Sequence, residues 1–234
     1  MQRGYSCPLW LRESYKPLTM GSSCVALCMT TSLASEPTLS SFQALHERLA
    51  ISRAEDAAFF PEWQRPTPLL ADDEKAFLDH LQQRYQNYYN ADLLTEGTVL
   101  LSIVAPLLEY LGFHEPPFFV RSEIPAILEV TERDEIYRGR MDVLVVRDRL
   151  WILTVEAKRS KFAADIALPQ CLAYMKAAPQ QPSFGLVTNG SDFIFCKLES
   201  EIYDFSEVFS LLSRRNQLYE VASILTHFKT LTGG

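Results

Sequence analysis

Two neighbouring segments near the middle of the chain are apolar on both faces, and they constrain the fold more than any other feature. The first is RMDVLVV (140–146), the second is LWILTVEAK (150–158), and a turn is expected between them near Asp148. Strands without a polar face lie at the centre of a sheet that is covered on both sides. The sequence therefore predicts a hairpin in the middle of a sheet that lies between layers of helices.

Helices and strands are predicted on both sides of this hairpin. The strongest helix is LLTEGTVLLSIVAPLLEYLGF (93–113), where Val99, Ile103 and Leu107 belong to one broad apolar stripe and Gly112 follows as a natural stop. Helical spacing also appears over 39–60, 71–90, 163–178, 206–214 and 216–231, and strand patterns appear over 118–130, 184–189 and 192–198. This order of elements predicts an α/β (α+β) fold around one mixed sheet.

The 234 residues divide into segments of different character. Residues 1–40 hold three of the five cysteines, are rich in Ser, Thr and Pro and lack periodicity, so we expect a disordered N-terminal tail. Residues 41–92 are expected to form a helical extension, 93–200 the core domain, and 201–234 C-terminal helices that pack on that core. A single domain of moderate size is typical of this length.

Composition excludes several classes of protein. The chain has no run of 18 apolar residues, which argues against a membrane-spanning helix. None of the nine glycines is followed by Lys, so the chain has no phosphate loop of the G-K-[ST] type and no ATP site of that kind. The five cysteines form no C-x-x-C pair and are expected to be free thiols in the cytoplasm.

The predicted hairpin carries three charged side chains that are costly on central strands. Glu156 and Lys158 alternate with Ala157 and project from the same face of the second strand. Asp142 lies on the first strand, and a loop with an odd number of residues, for instance 148–150, places it opposite Glu156. A loop with an even number of residues places the two acids on opposite faces, where they cannot form one site.

Two carboxylates on neighbouring strands have to be neutralised. At a separation of about 5 Å they repel by roughly 3 kcal/mol at an effective dielectric constant near 20. Mg²⁺ removes this cost, because it commonly binds one or two carboxylates together with substrate phosphate. Lys158 could then hold the attacking water and offset charge on the phosphate. The alternative is an exposed strand end, where Glu156 and Lys158 form a surface ion pair worth less than about 1 kcal/mol.

The spacing of these residues resembles a known nuclease signature. Asp142, followed after thirteen residues by Glu156-Ala157-Lys158 at the end of an apolar strand, is similar to the PD-(D/E)xK motif. Met141 stands where that motif has its proline.

Two further segments carry the same resemblance. PQCLAYM holds Gln170 and Tyr174 four residues apart, hence on one helix face, and is similar to the QxxxY element of a subset of these nucleases. TEGTVLLSIVAPLLEYLGF (95–113) resembles the helix that opens the N-terminal nuclease domain of type I restriction enzyme R subunits, and Glu96 heads its apolar stripe. The resemblance covers about residues 93–198.

The resemblance implies a restriction-endonuclease-like αβββαβ core that hydrolyses DNA phosphodiesters with Mg²⁺, which Mn²⁺ could replace. The ATP-driven translocase of type I enzymes is not part of this expectation. The implied roles are Asp142 and Glu156 as catalytic metal ligands, Glu96 as a further acid near the metal, Lys158 as the catalytic residue that handles the water, and Gln170 and Tyr174 as residues that line the site or touch DNA.

Basic residues cluster around the predicted site. Segment 138–161 contains seven Lys or Arg and three Asp or Glu, a local charge of +4, whereas the whole chain carries −7. Arg138, Arg140 and Arg159 from this segment are predicted to contact the DNA backbone. The expected partners are DNA, other restriction or helicase subunits and a second copy of the chain. The alternative is a non-catalytic DNA-binding or protein-docking module with the same fold.

Overall fold

A mixed sheet forms the centre of the fold, as the sequence predicts. The computed structural model describes residues 41–64, 70–118, 120–121, 125–130, 135–140, 143–146, 150–154, 164–176, 178 and 180–232. Within this part of the chain the sheet has eight strands: β1 (Ser52–Arg53), β2 (Val120–Arg121), β5 (Val143–Val146), β6 (Leu150–Thr154), β7 (Ser183–Thr188), β8 (Asp192–Glu199), β9 (Ile202–Phe205) and β10 (Phe209–Ser210). A separate antiparallel pair is formed by β3 (Pro125–Val130) and β4 (Glu135–Arg140).

The helices lie in two layers. The described helices are α1 (Phe42–Leu49), α2 (Asp72–Asn90), α3 (Glu96–Val99), α4 (Ala105–Tyr110), α5 (Leu168–Lys176) and α6 (Leu218–Thr232). A π-helical turn (Leu100–Val104) joins α3 to α4, and short 3-10 turns lie at Pro61–Trp63 and Ala164–Ala167. One core cluster contains apolar side chains from α2, α3, α4 and α6, and a second cluster contains those of α1 and α5.

Strand β7 separates these two clusters. The Phe184 ring stacks on Phe228 of α6 with 4.4 Å between ring centres. On the opposite face, a Cβ added at Gly185 would meet the sulfur atoms of Cys171 and Met175 in α5. Successive residues of a strand point to opposite faces, so the sheet lies between the layer that contains α6 and the layer that contains α5.

Five strands of the sheet are neighbours in chain order. They follow one another as β2, β5, β6, β7 and β8, with β9 and β1 beyond β8, and β10 also pairs with β8. Only β6 and β7 are parallel within this group of five, and α5 lies in the connection between them. The predicted α/β (α+β) fold with a mixed sheet flanked by helices is confirmed.

The predicted helix over 206–214 is wrong. This segment contains β10 and a turn, in which Phe209 and Leu211 are buried, whereas Val208 and Leu212 are 52% and 58% exposed. The burial alternates with a period of two, because Phe209 pairs with the antiparallel strand β8. The C-terminal region 201–234 therefore contributes strands β9 and β10 as well as the predicted final helix, α6.

The first predicted helix is shorter than its sequence pattern. Ser41 caps α1 by accepting a hydrogen bond from the Ala44 amide at 3.1 Å, and Ala50 ends it in the left-handed region at φ 53°. The following residues form β1, which pairs with β9 and was not expected, since a two-residue strand has no readable period.

Residues 1–40, with their predicted disordered tail, lie outside the described residues. Along the described part of the chain, no helix has the length and apolar character needed to cross a membrane.

Candidate active site

The β5–β6 hairpin has the odd connection that the predicted site requires. Leu144 pairs with Ile152 and Val146 pairs with Leu150, so three residues, 147–149, connect the two strands. The expected loop, 148–150, is displaced by one residue, because Leu150 already belongs to β6. Even-numbered positions of both strands consequently share one face of the sheet.

The structure does not describe the side chains of the predicted metal ligands. Asp142, Glu156, Lys158 and Arg159 lie outside the described residues, and of Glu96 only the backbone is described. Their placement as a site therefore stays a prediction. Among the described residues, no three His, Cys, Asp or Glu side chains come together as a group that could hold a metal ion.

The parallel strands β6 and β7 end side by side. Thr154, the last described residue of β6, pairs with Thr188, the last residue of the parallel strand β7. A tight turn follows β7, in which the Thr188 hydroxyl accepts from the Gly190 amide at 2.9 Å and the Asn189 side chain accepts from the amides of Ser191 and Asp192. The C-terminal ends of β6 and β7 therefore lie next to this turn.

Helix α3 packs directly on the same turn. A Cβ added at Gly190 would fall 2.6 Å from a methyl carbon of Val99, and Gly190 has φ +88°, a backbone conformation that favours glycine. Val99 is completely buried, and α3 begins three residues earlier, at Glu96. The backbone of Glu96 therefore belongs to a helix that packs at the edge of the sheet where β6 and β7 end.

A side chain from α2 supports the irregular part of the helix that continues from α3. Pro106 has no amide hydrogen to donate to the carbonyl of Ser102, four residues earlier, and the chain makes a π turn at Leu100–Val104. The Ser102 carbonyl instead accepts a hydrogen bond from Arg84 Nη1 at 3.2 Å. Pro106 could have signalled this irregularity from sequence, whereas nothing in the sequence connects Arg84 to Ser102.

The pair on α5 is arranged as predicted. Gln170 Nε2 donates a hydrogen bond to Tyr174 Oη at 2.7 Å, which confirms that the two side chains share a helix face. Tyr174 is 8% exposed, so its hydroxyl oxygen is fixed by an amide donor in a largely buried position. Because α5 covers the opposite face of the sheet from α6, these residues approach the sheet from the other layer.

Two of the predicted DNA-contacting residues lie on the β3–β4 pair. Arg138 pairs with Ile127 and Arg140 with Pro125, and the two arginine positions are separated by Gly139. They therefore occupy the same face of this two-stranded sheet.

Tyr85 lies in the core, and it also supports the turn after β7. Its side chain is buried in α2, and burial, opposed by a hydrogen bond with Ser191, raises the pKa of Tyr85 to about 12. The hydroxyl stays protonated at neutral pH. Tyr85 consequently serves as a fixed link between α2 and the turn, not as an acid or base.

The layered fold, the five strands that follow one another in chain order and the helix packed at the ends of β6 and β7 define a nuclease-like α+β core. The chain belongs to the family described as Type I restriction enzyme R protein N terminus (HSDR_N), whose model matches residues 62–202. The matched region contains every predicted site residue. The curated proteins and the solved structures gave no significant match to the chain.

Proposed function

We propose that this chain is a Mg²⁺-dependent DNA endonuclease that hydrolyses phosphodiester bonds. The observation that carries the proposal is the register of the β5–β6 hairpin, in which even-numbered positions share a face. Asp142 precedes Leu144 by two residues, and Glu156 follows Thr154 by two. If both strands continue in the same register, Asp142, Glu156 and Lys158 fall on one face. Asp142 would then pair with Thr154, and Glu156 would lie two residues beyond the position opposite Asp142, whereas the expected loop 148–150 would place the two acids directly opposite each other.

The same face of the sheet is the one covered by α3. Leu150 pairs with Phe184 and Ile152 pairs with Leu186, and paired positions in neighbouring strands share a face. Phe184 and Leu186 belong to the core cluster that also contains Val99 of α3. The predicted catalytic positions would therefore lie on the side of the sheet from which the helix headed by Glu96 approaches.

The donor set of this proposed site fits Mg²⁺. Its acids, Glu96, Asp142 and Glu156, offer only carboxylate oxygens, the ligand type that Mg²⁺ prefers, and leave coordination positions for water and phosphate. When bound, the ion supplies Lewis-acid polarisation of the phosphate and lowers the pKa of a nearby water. Mn²⁺ would fit the same oxygen ligands.

The chain's own residues would then position the reactants. Asp142 and Glu156 would hold the ion, with Glu96 as a further carboxylate beside it. The Lys158 ammonium would orient the attacking water by donating a hydrogen bond to its oxygen and would offset the negative charge that grows on the phosphate in the transition state. Gln170 and Tyr174, fixed by their mutual hydrogen bond, belong to the layer on the other side of the sheet, so they would line the site or contact the DNA strand only around the end of the sheet where β6 and β7 end.

Basic residues would hold the DNA backbone next to these acids. Arg138 and Arg140 share a face of the β3–β4 pair, and Arg159 follows Lys158 in the sequence. Contacts of this kind give affinity without base recognition. We expect the chain to act in the cytoplasm, with other restriction or helicase subunits supplying translocation and with a second copy supplying the cut in the other DNA strand.

Incubation of supercoiled plasmid with the purified chain tests this function. We expect nicked or linear DNA with Mg²⁺ or Mn²⁺ and none with EDTA, and a loss of at least 100-fold in the Lys158→Ala variant, typical of the removal of one transition-state contact. Lys75→Ala is the matched control, because its exposed ion pair with Asp72 at 3.7 Å contributes little. Full cleavage by Lys158→Ala would contradict the proposed role. DNA binding without cleavage under any metal would favour the non-catalytic module.

A further inference from the structure

Three sulfur atoms meet in the core between α5 and β8. Cys171 Sγ lies 3.9 Å from Cys196 Sγ, and Met175 Sδ lies 3.8 Å from the first and 3.5 Å from the second. All three side chains are at most 1% exposed. They form a nearly equilateral triangle of two thiols and one thioether, which we call the sulfur triangle.

The size of the sulfur triangle suits a metal ion at its centre. A triangle with sides of 3.5, 3.8 and 3.9 Å has a circumradius of about 2.2 Å, so one point lies at that distance from all three sulfurs. Metal–thiolate bonds are about 2.3 Å long. The three donors would therefore need almost no movement to bind one ion together.

Gly185 lies directly beside the centre of the sulfur triangle. A Cβ added at Gly185 of β7 would lie 2.5, 2.8 and 2.9 Å from the sulfurs of Cys196, Met175 and Cys171. Any larger residue at position 185 would place a carbon atom against the open side of the sulfur triangle. The absence of a Cβ at position 185 keeps a carbon atom out of contact with all three sulfurs.

The chemistry of the donors selects the ion. Thiolate and thioether ligands favour soft cations, Cu(I) in particular. A structural zinc site uses four nitrogen, sulfur or oxygen ligands, and the sulfur triangle supplies only two residues of the types that zinc uses. We propose that Cys171, Met175 and Cys196 form a three-coordinate Cu(I) site.

The two cysteine thiols are hydrogen-bonded to each other. The hydrogen bond between the two thiols, together with burial, raises the pKa of Cys196 well above its ordinary value, so this thiol is protonated when no ion is bound. The site does not depend on the nuclease proposal, and its test is independent of DNA cleavage.

The test has to separate this site from the other cysteines. Cys7, Cys24 and Cys28 lie in the first 40 residues, and the variant with all three replaced by serine serves as the reference chain. The reference chain is titrated anaerobically with Cu(I) against the chelator bathocuproine disulfonate. We expect one Cu(I) per chain, and X-ray absorption at the copper edge should find three sulfur neighbours at about 2.3 Å.

Two changes in the reference chain then locate the ion. Replacing Cys171 and Cys196 together by alanine should abolish retention of Cu(I), and Met175→Leu should weaken it at least tenfold. Met175→Leu keeps the side-chain volume and thus the fold, and circular dichroism checks this; Met29→Leu is its control. Failure of the reference chain to retain Cu(I), or unchanged affinity in Met175→Leu, would overturn the proposal.

Discussion

Arg84 in α2 donates a hydrogen bond to the main-chain carbonyl of Ser102, a carbonyl that Pro106 cannot satisfy, at 3.2 Å. This contact connects α2 to the π turn that follows α3. The helix that begins at Glu96 is therefore held from two sides, by Arg84 and by the turn at Gly190. Its position at the end of β6 depends on contacts between residues far apart in the chain.

Replacement of Arg84 should destabilise the protein. Arg84→Ala removes the donor to a half-buried carbonyl, which we expect to lower the free energy of unfolding by about 1–2 kcal/mol. Urea denaturation measures this change. Lys75→Ala, on the same helix but exposed, should lower it by less than about 0.5 kcal/mol. Equal effects of the two substitutions would show that the Arg84 hydrogen bond contributes nothing specific.

Replacement by alanine should change the free energy of unfolding in opposite directions at two glycines, one in α3 and one in the turn that packs on it. Gly190→Ala introduces strain at φ +88° and a carbon 2.6 Å from Val99, so we expect a loss of about 2–4 kcal/mol in the free energy of unfolding. Gly97→Ala meets no atom within 4 Å and lies in α3, where alanine should stabilise by up to about 1 kcal/mol. Thermal unfolding of both variants checks the sign of each change.

The buried hydroxyl of Tyr85 should make the fold sensitive to alkaline pH. Burial raises the pKa of Tyr85 from 10.0 to about 12, so the folded protein holds this proton more tightly than the unfolded chain does. The resulting stabilisation is fully present below pH 10 and is lost as the pH rises through about 12. Urea denaturation at several pH values measures this effect. Between pH 10 and about 12, the free energy of unfolding of Tyr85→Phe should fall less steeply than that of the parent chain. An equally steep decline would assign the alkaline sensitivity to other groups.

The sequence predicted the parts of the structure that depend on local patterns. Apolar segments around 140–158 predicted the hairpin of β5 and β6, and the four-residue spacing of Gln170 and Tyr174 predicted that they share a helix face, although not the hydrogen bond between them. The helix expected over 206–214 failed because four apolar residues close together fit a period of 3.6 as well as a period of two. Only pairing with β8, a long-range contact, decides between them.

Contacts between residues that are far apart in the sequence could not be predicted from the local spacing of apolar and polar residues. Cys171 and Met175 are four residues apart on one helix, and their spacing is readable from the sequence, but Cys196 joins them only through the packing of α5 on β8. The approach of Val99 to Gly190 is likewise a product of tertiary structure. Asp142, Glu156 and Lys158 lie outside the described residues, so their assignment as the active site stays a prediction from sequence and register.

The central claim is that Asp142 and Glu156 share one divalent ion, and binding of Mn²⁺ followed by electron paramagnetic resonance tests it most directly. Asp142→Asn and Glu156→Gln keep the size of each side chain and remove its charge, so each should weaken Mn²⁺ binding at least tenfold, about 1.4 kcal/mol. Glu207→Gln, at an exposed position after β9, should bind as the parent chain does. If both site variants bind Mn²⁺ as tightly as the parent chain, the two carboxylates do not form a metal site and the nuclease account is wrong.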